Sequence, residues 1–213
     1  MIELDRARFV DVRSERRAVL DSVSFQFSPG IWHLEATPAG DARTLIGVVA
    51  GHVPLAGGAT RRHGLCSWPL SQVATLGAHL NGGDLVDLMA SLHDLDPRGT
   101  TRFFRDMLDE PALLGERFDR WPQAAQRQFT HTAILAPTFD NYLIDMSPVL
   151  SDSDFYRRWR ALFAARTDGK TVLMASGGHR AARRDFPGTI LRLSHGVLRP
   201  APEPVAPLLL AAE

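Results

Sequence analysis

Apolar and polar positions along the chain fall into two textures. Ala7 to Val12 and Val23 to Phe27 alternate apolar and polar residues, the period of half-buried strands, with a charged turn from Arg13 to Arg17 between them. Ser28-Pro29-Gly30 is a turn, and Ile31 to Ala36 predicts a third strand. Thr44 to Ala50 reads as a helix, with Gly51 placed where a helix end needs positive φ. Gly57-Gly58-Ala59 and His63-Gly64 punctuate two more short strands that end near Trp68-Pro69. From Asn81 onward the spacing changes to three and four. Gly83 to Asp94, Thr101 to Leu114 and Gln123 to Leu135 then predict helices, the first two separated at Pro97-Arg98-Gly99. Asn141 to Asp145 is a short apolar strand ending in a carboxylate. After it come a helix over Ser153–Arg166, a buried strand over Thr171–Ala175 and a hairpin over Thr189–Leu198 turning at His195-Gly196.

Strands alternating with helices around a helical block predict one α/β domain over residues 1–213, with a helical subdomain inserted at about 71–135. The tail at 199–213, rich in Pro and Ala, is expected to be loose or to dock on a neighbour. Composition narrows the setting. No run approaches the ~18 apolar residues of a membrane span, so membrane contact is expected only through a partner. MIELDRARF carries charges where a signal peptide needs an apolar stretch, and the single cysteine, Cys66, excludes an internal disulfide; both suit the cytoplasm. The chain holds 24 basic and 24 acidic residues. With no net field, the basic clusters Arg61-Arg62-His63 and Arg180 to Arg184 read as solvated faces, and no nucleic-acid partner is expected.

Leu34 to Gly51, LEATPAGDARTLIGVVAG, has the strand, Gly/Pro turn and helix of a phosphate-binding loop. The stretches AVLDSVSFQFSPG, TLIGVVAG, CSWPL, HLNGGDLVDLMASLH and FDNYLIDMSPVLSD resemble an ATP-binding-cassette (ABC) ATPase subunit. The segment SWPL followed by Leu80 to Val86 is similar to the branch that energises capsular polysaccharide export. The resemblance runs from about Arg8 to Leu198. It implies an α/β P-loop NTPase core with an N-terminal antiparallel β subdomain and an inserted helical subdomain.

The resemblance also assigns chemistry to positions, and most of them hold the wrong residue. A working loop reads G-x-x-x-x-G-K-[ST]: backbone N–H groups cradle phosphates, the lysine neutralises them and the hydroxyl binds Mg²⁺. Anchored on TLIGVVAG, the two glycines fall on Ala36 and Asp41, the lysine on Ala42 and the hydroxyl on Arg43. Shifted by one residue, Ala42 takes the second glycine, Arg43 the lysine and Thr44 the hydroxyl, but the match to the following helix is lost. The adenine-stacking aromatic is missing from Asp11 to Arg17, and Phe9 is expected to face the core. The glutamine loop's side chain falls on Gly77, with Gln72 upstream and read as exposed. The signature motif falls on Trp121-Pro122-Gln123-Ala124-Ala125, without a hydroxyl or glycine. Asp145 stands at the Mg²⁺ position, Met146 at the general base, Asp152 at the dimer-contacting aspartate and Gly177 at the switch histidine, with His179 two residues late.

No catalytic residue and no metal ligand set is therefore expected. Gly40, Ala42, Arg43, Thr44 and Asp145 mark a vestigial nucleotide site. The expectation is a pseudo-ATPase: a non-hydrolysing binding, regulatory or scaffold subunit of polysaccharide or glycoconjugate export, with no bound cofactor. It would sit in the cytoplasm or at the inner face of the membrane, paired with a permease subunit, a related ABC ATPase or a second copy of itself. The alternative is a hydrolysing export subunit that uses ATP and Mg²⁺ through Arg43, Thr44 and Asp145.

Overall fold

A computed structural model describes residues 1–11, 17–71, 79–145, 153–175 and 180–201. Its order is β1 (Ile2–Asp11), β2 (Arg17–Phe27), β3 (Gly30–Thr37), α1 (Gly40–Ala50), β4 (Gly57–Arg62), α2 (Gly82–Leu92), α3 (Pro97–Met107) and α4 (Gln123–Ala133). It continues β5 (Asn141–Ile144), α5 (Asp154–Thr167), β6 (Thr171–Met174), α6 (Arg180–Asp185), β7 (Thr189–Ser194) and β8 (Val197–Pro200). The antiparallel sheet has the order β2-β1-β4. The second sheet has the order β5-β6-β3-β7-β8, parallel except for the edge hairpin of β7 and β8. The expected α/β core with an N-terminal antiparallel sheet is the observed architecture.

Ile2, Leu4, Ala7, Val19, Leu20, Val23 and Phe27 turn one face of the antiparallel sheet into a core shared with Leu45, Ile46, Val48 and Val49 of α1. Apolar side chains on one side of α1 therefore fix where its first turn points. Phe9 packs against this core, as expected. Strand β1 begins five residues before the predicted Ala7, because Ile2 and Leu4 alternate with Glu3 and Asp5 and pair with Phe27 and Phe25. A bulge follows, with Arg6 at φ 46° and a register shift between Leu4 and Ala7. Gly58 closes against it: at φ 79°, a Cβ there would lie 2.2 Å from the Arg6 carbonyl oxygen.

Helices α2 to α4 gather around Leu85, Val86, Phe104, Phe118, Trp121 and Phe129, a cluster separate from the one beneath α1. Their starts are written in capping chemistry. The Asn81 side chain accepts from the Asp84 N–H in a reciprocal box, and Asp96 accepts from the Gly99 N–H at 2.6 Å. Pro97 is thus the first residue of α3, where its missing N–H costs nothing, and Pro97-Arg98-Gly99 is not the expected break. Nor does α3 reach Leu114. It ends at Met107, and Pro111 begins a separate 3₁₀ turn over Pro111–Gly115. Of the two strands expected before Trp68, only β4 forms; Cys66 makes a single bridge to Asn141. Arg199 and Pro200, expected in a loose tail, belong to β8, where Leu191 faces Pro200 and the Ala201 N–H donates to the Ile190 carbonyl at 2.8 Å. An edge strand tolerates the proline. Residues 202–213 lie outside the described residues.

Candidate functional site

Strand β3 delivers the chain to the head of α1 at the carboxyl ends of β5, β6 and β7, where open α/β sheets bind ligands. Helix α1 starts at Gly40 after Ala39, which supplies no side-chain cap. The Asp41 N–H donates to the Pro38 carbonyl at 3.1 Å. Asp41 itself occupies the first turn, where the helix dipole favours an anion. Its side chain is only 8% exposed, and Arg17 of β2 donates to both carboxylate oxygens, each at 2.6 Å. A bidentate pair of this geometry is the strong form of an ion pair, and the hydrogen bond to Asp41 holds the Arg17 guanidinium above its ordinary pKa.

The neighbouring positions each face a different way. Ala42 is 2% exposed and points its methyl group into the core under α1. Arg43 is exposed and donates from Nε to the backbone carbonyl of Asp145 at 3.1 Å. The Thr44 hydroxyl donates back along its own helix to the Gly40 carbonyl at 3.3 Å. Gly40 is exposed, with open space where a Cβ would stand.

Asp145 follows the fully buried strand β5 and is itself buried. One of its carboxylate oxygens accepts from the Ser71 N–H at 2.8 Å, and the other accepts from the Ser71 hydroxyl. Among the described residues, no group of three or more His, Cys, Asp or Glu side chains is arranged to hold a metal ion. Arg43 and Asp145 are therefore brought together, through a backbone carbonyl. Thr44 is not brought to the Asp145 carboxylate in this arrangement. Arg17 and Ser71 were not among the expected site residues. Their only signals in the sequence are a cation at the end of a charged turn and a hydroxyl just after SWPL.

The segment where the resemblance expects the signature motif makes structural contacts. The Trp121 indole N–H donates to the Glu116 carbonyl at 3.1 Å, and its ring lies 5.6 Å from Phe129. Pro122 precedes α4, and Gln123 and Ala124 are exposed. Further along α4, His131 is buried, with Nδ1 2.7 Å from the Arg127 carbonyl. A carbonyl only accepts, so Nδ1 carries the proton. Burial pushes this imidazole down to about 4. The cluster Arg180 to Arg184 is not simply a solvated face, because Arg183 reaches Glu35 of β3 at 2.9 Å. Arg61 pairs with Glu3 and Asp5 at the surface, while Arg62 donates to the Val49 carbonyl at 2.9 Å. Gln72, Gly77, Met146, Asp152, Gly177 and His179 lie outside the described residues.

No family model matches the chain. It is 26% identical over 185 residues to the ATP-binding protein BexA of Haemophilus influenzae, covering 85% of this chain and 84% of that protein. It is 28% identical over 171 residues to the capsule polysaccharide export ATP-binding protein CtrD of Neisseria meningitidis serogroup B, covering 79% and 78%. Among solved structures it is similar to an ATP-binding subunit of an ABC transporter, with a TM-score of 0.73 and 14% identity over 94% of this chain and 89% of that one. The dimeric bacterial ABC transporter cassette MJ0796 gives a TM-score of 0.75 at 15% identity, over 97% and 100%. The fold is that of an ABC transporter cassette, and the resemblance to these two ATP-binding proteins holds along most of the chain.

Proposed function

We propose that this cassette is a subunit of polysaccharide or glycoconjugate export that binds partners and does not hydrolyse ATP. One observation carries the reading: the first turn of α1 offers a buried carboxylate, a methyl group and an outward guanidinium at Asp41, Ala42 and Arg43. A triphosphate needs backbone N–H groups open to it, a lysine and a hydroxyl. These residues do not fit it. Asp41 adds a negative charge at the point where phosphate charge would gather. Mg²⁺ fits no better, because both oxygens of Asp145 are engaged by Ser71. In the sequence, Met146 replaces the general base, and the signature segment from Trp121 to Ala125 has no hydroxyl or glycine. With both its phosphate loop and its signature segment lacking these groups, the chain has neither to offer to a partner subunit.

The similarity to the capsule polysaccharide export ATP-binding protein CtrD supports the setting. The partner in this reading is a permease subunit, a related ABC ATPase or a second copy, met at the cytoplasmic face of the membrane. The helical unit at about 71–135 and the groove beside it supply the docking surface. No helix among the described residues is long and apolar enough to cross a membrane, so the partner supplies the membrane contact. The test is ATPase activity of the purified chain, alone and with its transporter. No turnover above background is expected, and turnover abolished by Asp145→Ala refutes the proposal.

A second reading has one observation in its favour: Arg43 already reaches the carbonyl of Asp145. In a hydrolysing subunit, Arg43 would stand for the lysine, Thr44 for the Mg²⁺ hydroxyl and Asp145 for the Mg²⁺ carboxylate. Titration calorimetry with Mg-ATP separates the two readings. Micromolar binding that Arg43→Ala removes favours the second, which turnover then has to establish, and its absence supports the first.

A further inference from the structure

We infer that the Arg17–Asp41 pair is an autoinhibitory latch, an internal contact that shuts the nucleotide side of the cassette. The inference rests on the non-hydrolysing reading and gives it a physical cause beyond missing groups. Arg17 opens β2, at the end of the stretch from Asp11 to Arg17 where the resemblance places the adenine-stacking aromatic. Asp41 lies in the first turn of α1, where it places the second glycine of the phosphate loop. Their side chains meet with two N–H···O bonds of 2.6 Å, so the two places where the resemblance expects base and phosphate are joined directly by protein.

Two further features make this a built contact. Arg17 also lies opposite Asp11 in the β1–β2 ladder, whose charge adds to the hold on the guanidinium. At the other end of α1, Arg62 of β4 donates to the Val49 carbonyl at 2.9 Å, at the negative end of the helix dipole. The antiparallel sheet thus grips α1 at head and foot with one guanidinium each. Asp41 supplies at the head the negative charge that a phosphate would otherwise bring. An incoming polyphosphate would have to displace a like-charged, nearly buried carboxylate from its bidentate partner. With the carboxylate gone, Arg17 and the first N–H groups of α1 face the same point, and both favour an anion.

The test is calorimetric titration of the full chain with inorganic triphosphate, with and without Mg²⁺. Wild-type protein is expected to show no binding at millimolar triphosphate. Asp41→Gly should bind at least tenfold more tightly than wild type, and Asp41→Gly combined with Arg17→Ala should lose that gain. Asp41→Asn keeps the side-chain size and removes the charge. It should show an intermediate affinity, and it carries the test if circular dichroism finds the glycine variant unfolded. A folded Asp41 variant that stays silent, or wild-type binding as tight as the variant's, overturns the latch. Silent variants would leave the non-hydrolysing reading standing, since that reading fails only on turnover by the wild-type chain.

Discussion

Acid should weaken the joint between α4 and α5 through a single imidazole. His131 is 1% exposed, its ring lies 5.5 Å from Tyr156 and 5.1 Å from Trp159, and the Trp159 indole donates to its backbone carbonyl at 2.8 Å. Nδ1 is committed to the Arg127 carbonyl, and Nε2 has no hydrogen-bond partner among the described residues. A second proton would create a buried cation with an unpaired N–H, which is why the folded pKa falls from 6.5 to about 4. The sign follows from linkage. A histidine with a depressed folded pKa costs nothing above the unfolded value. As pH falls below 6.5 the unfolded chain takes up a proton that the native state refuses, so stability drops until the folded pKa is reached. The gap of about 2.5 units corresponds to about 3 kcal/mol in all, of which roughly a third to a half is lost by pH 5.5 and most by pH 4.5. Burial also lowers the pKa of His33 and His93, so wild type alone would report their mixture. The assay is therefore urea unfolding of wild type and His131→Leu at pH 7.5, 5.5 and 4.5. The difference between the two proteins isolates this ring. A difference that stays flat across the three pH values refutes the argument.

Two further outcomes follow from local geometry. Cys66 is the one thiol in the chain, and burial pushes it up to about 11. At pH 7.5 only ~3 × 10⁻⁴ of it is thiolate, so a disulfide reagent should modify the native protein far more slowly than the urea-unfolded one; equal rates would contradict the burial. Gly58→Ala puts a Cβ 2.2 Å from the Arg6 carbonyl oxygen at φ 79° and should cost more than about 2 kcal/mol in urea unfolding, since the left-handed strain alone is 1–2. Gly115→Ala, with open space around its Cβ, is the control and should cost less than about 1 kcal/mol.

How far the sequence reveals the molecule depends on how far apart the interacting residues lie. Periodicity is local, so α5, β5, β6 and the β7–β8 hairpin are legible within a residue or two, as is the carboxylate of Asp145 at the end of an apolar run. Element starts are harder. The first turn of α1, Gly40 to Arg43, carries no apolar period of its own. The first half of β1 hides its alternation among Glu3, Asp5 and Arg6. Pro97 and Pro111 look alike in sequence, yet one opens α3 after the Asp96 cap and the other follows its end. The site residues that sequence reasoning missed are those whose partners are remote: Arg17 and Asp41 are 24 positions apart, and Ser71 and Asp145 are 74. A charged turn and a lone serine carry no mark of where the fold will take them.

That remoteness bears on how the expected site should be understood. Among the described residues, Asp41, Ala42 and Trp121, where the resemblance expects nucleotide-binding groups, make structural contacts instead. Asp41 holds β2 to α1, the Ala42 methyl fills the core beneath the helix, and Trp121 anchors the approach to α4 on the Glu116 carbonyl. Asp145 keeps the residue type but spends both oxygens on Ser71. A buried carboxylate left unpaired would be costly, so Asp41 without Arg17, or Asp145 without Ser71, would destabilise the sheet end that each serves. Placing a lysine at Ala42 would bring an ammonium group into a position that is 2% exposed and belongs to the same buried apolar cluster as Leu45, Ile46 and Leu193. A lysine at Ala42 is therefore expected to cost stability before it returns any affinity for phosphate. Asp41 is the position to change first, because its removal frees a cation that is already in place.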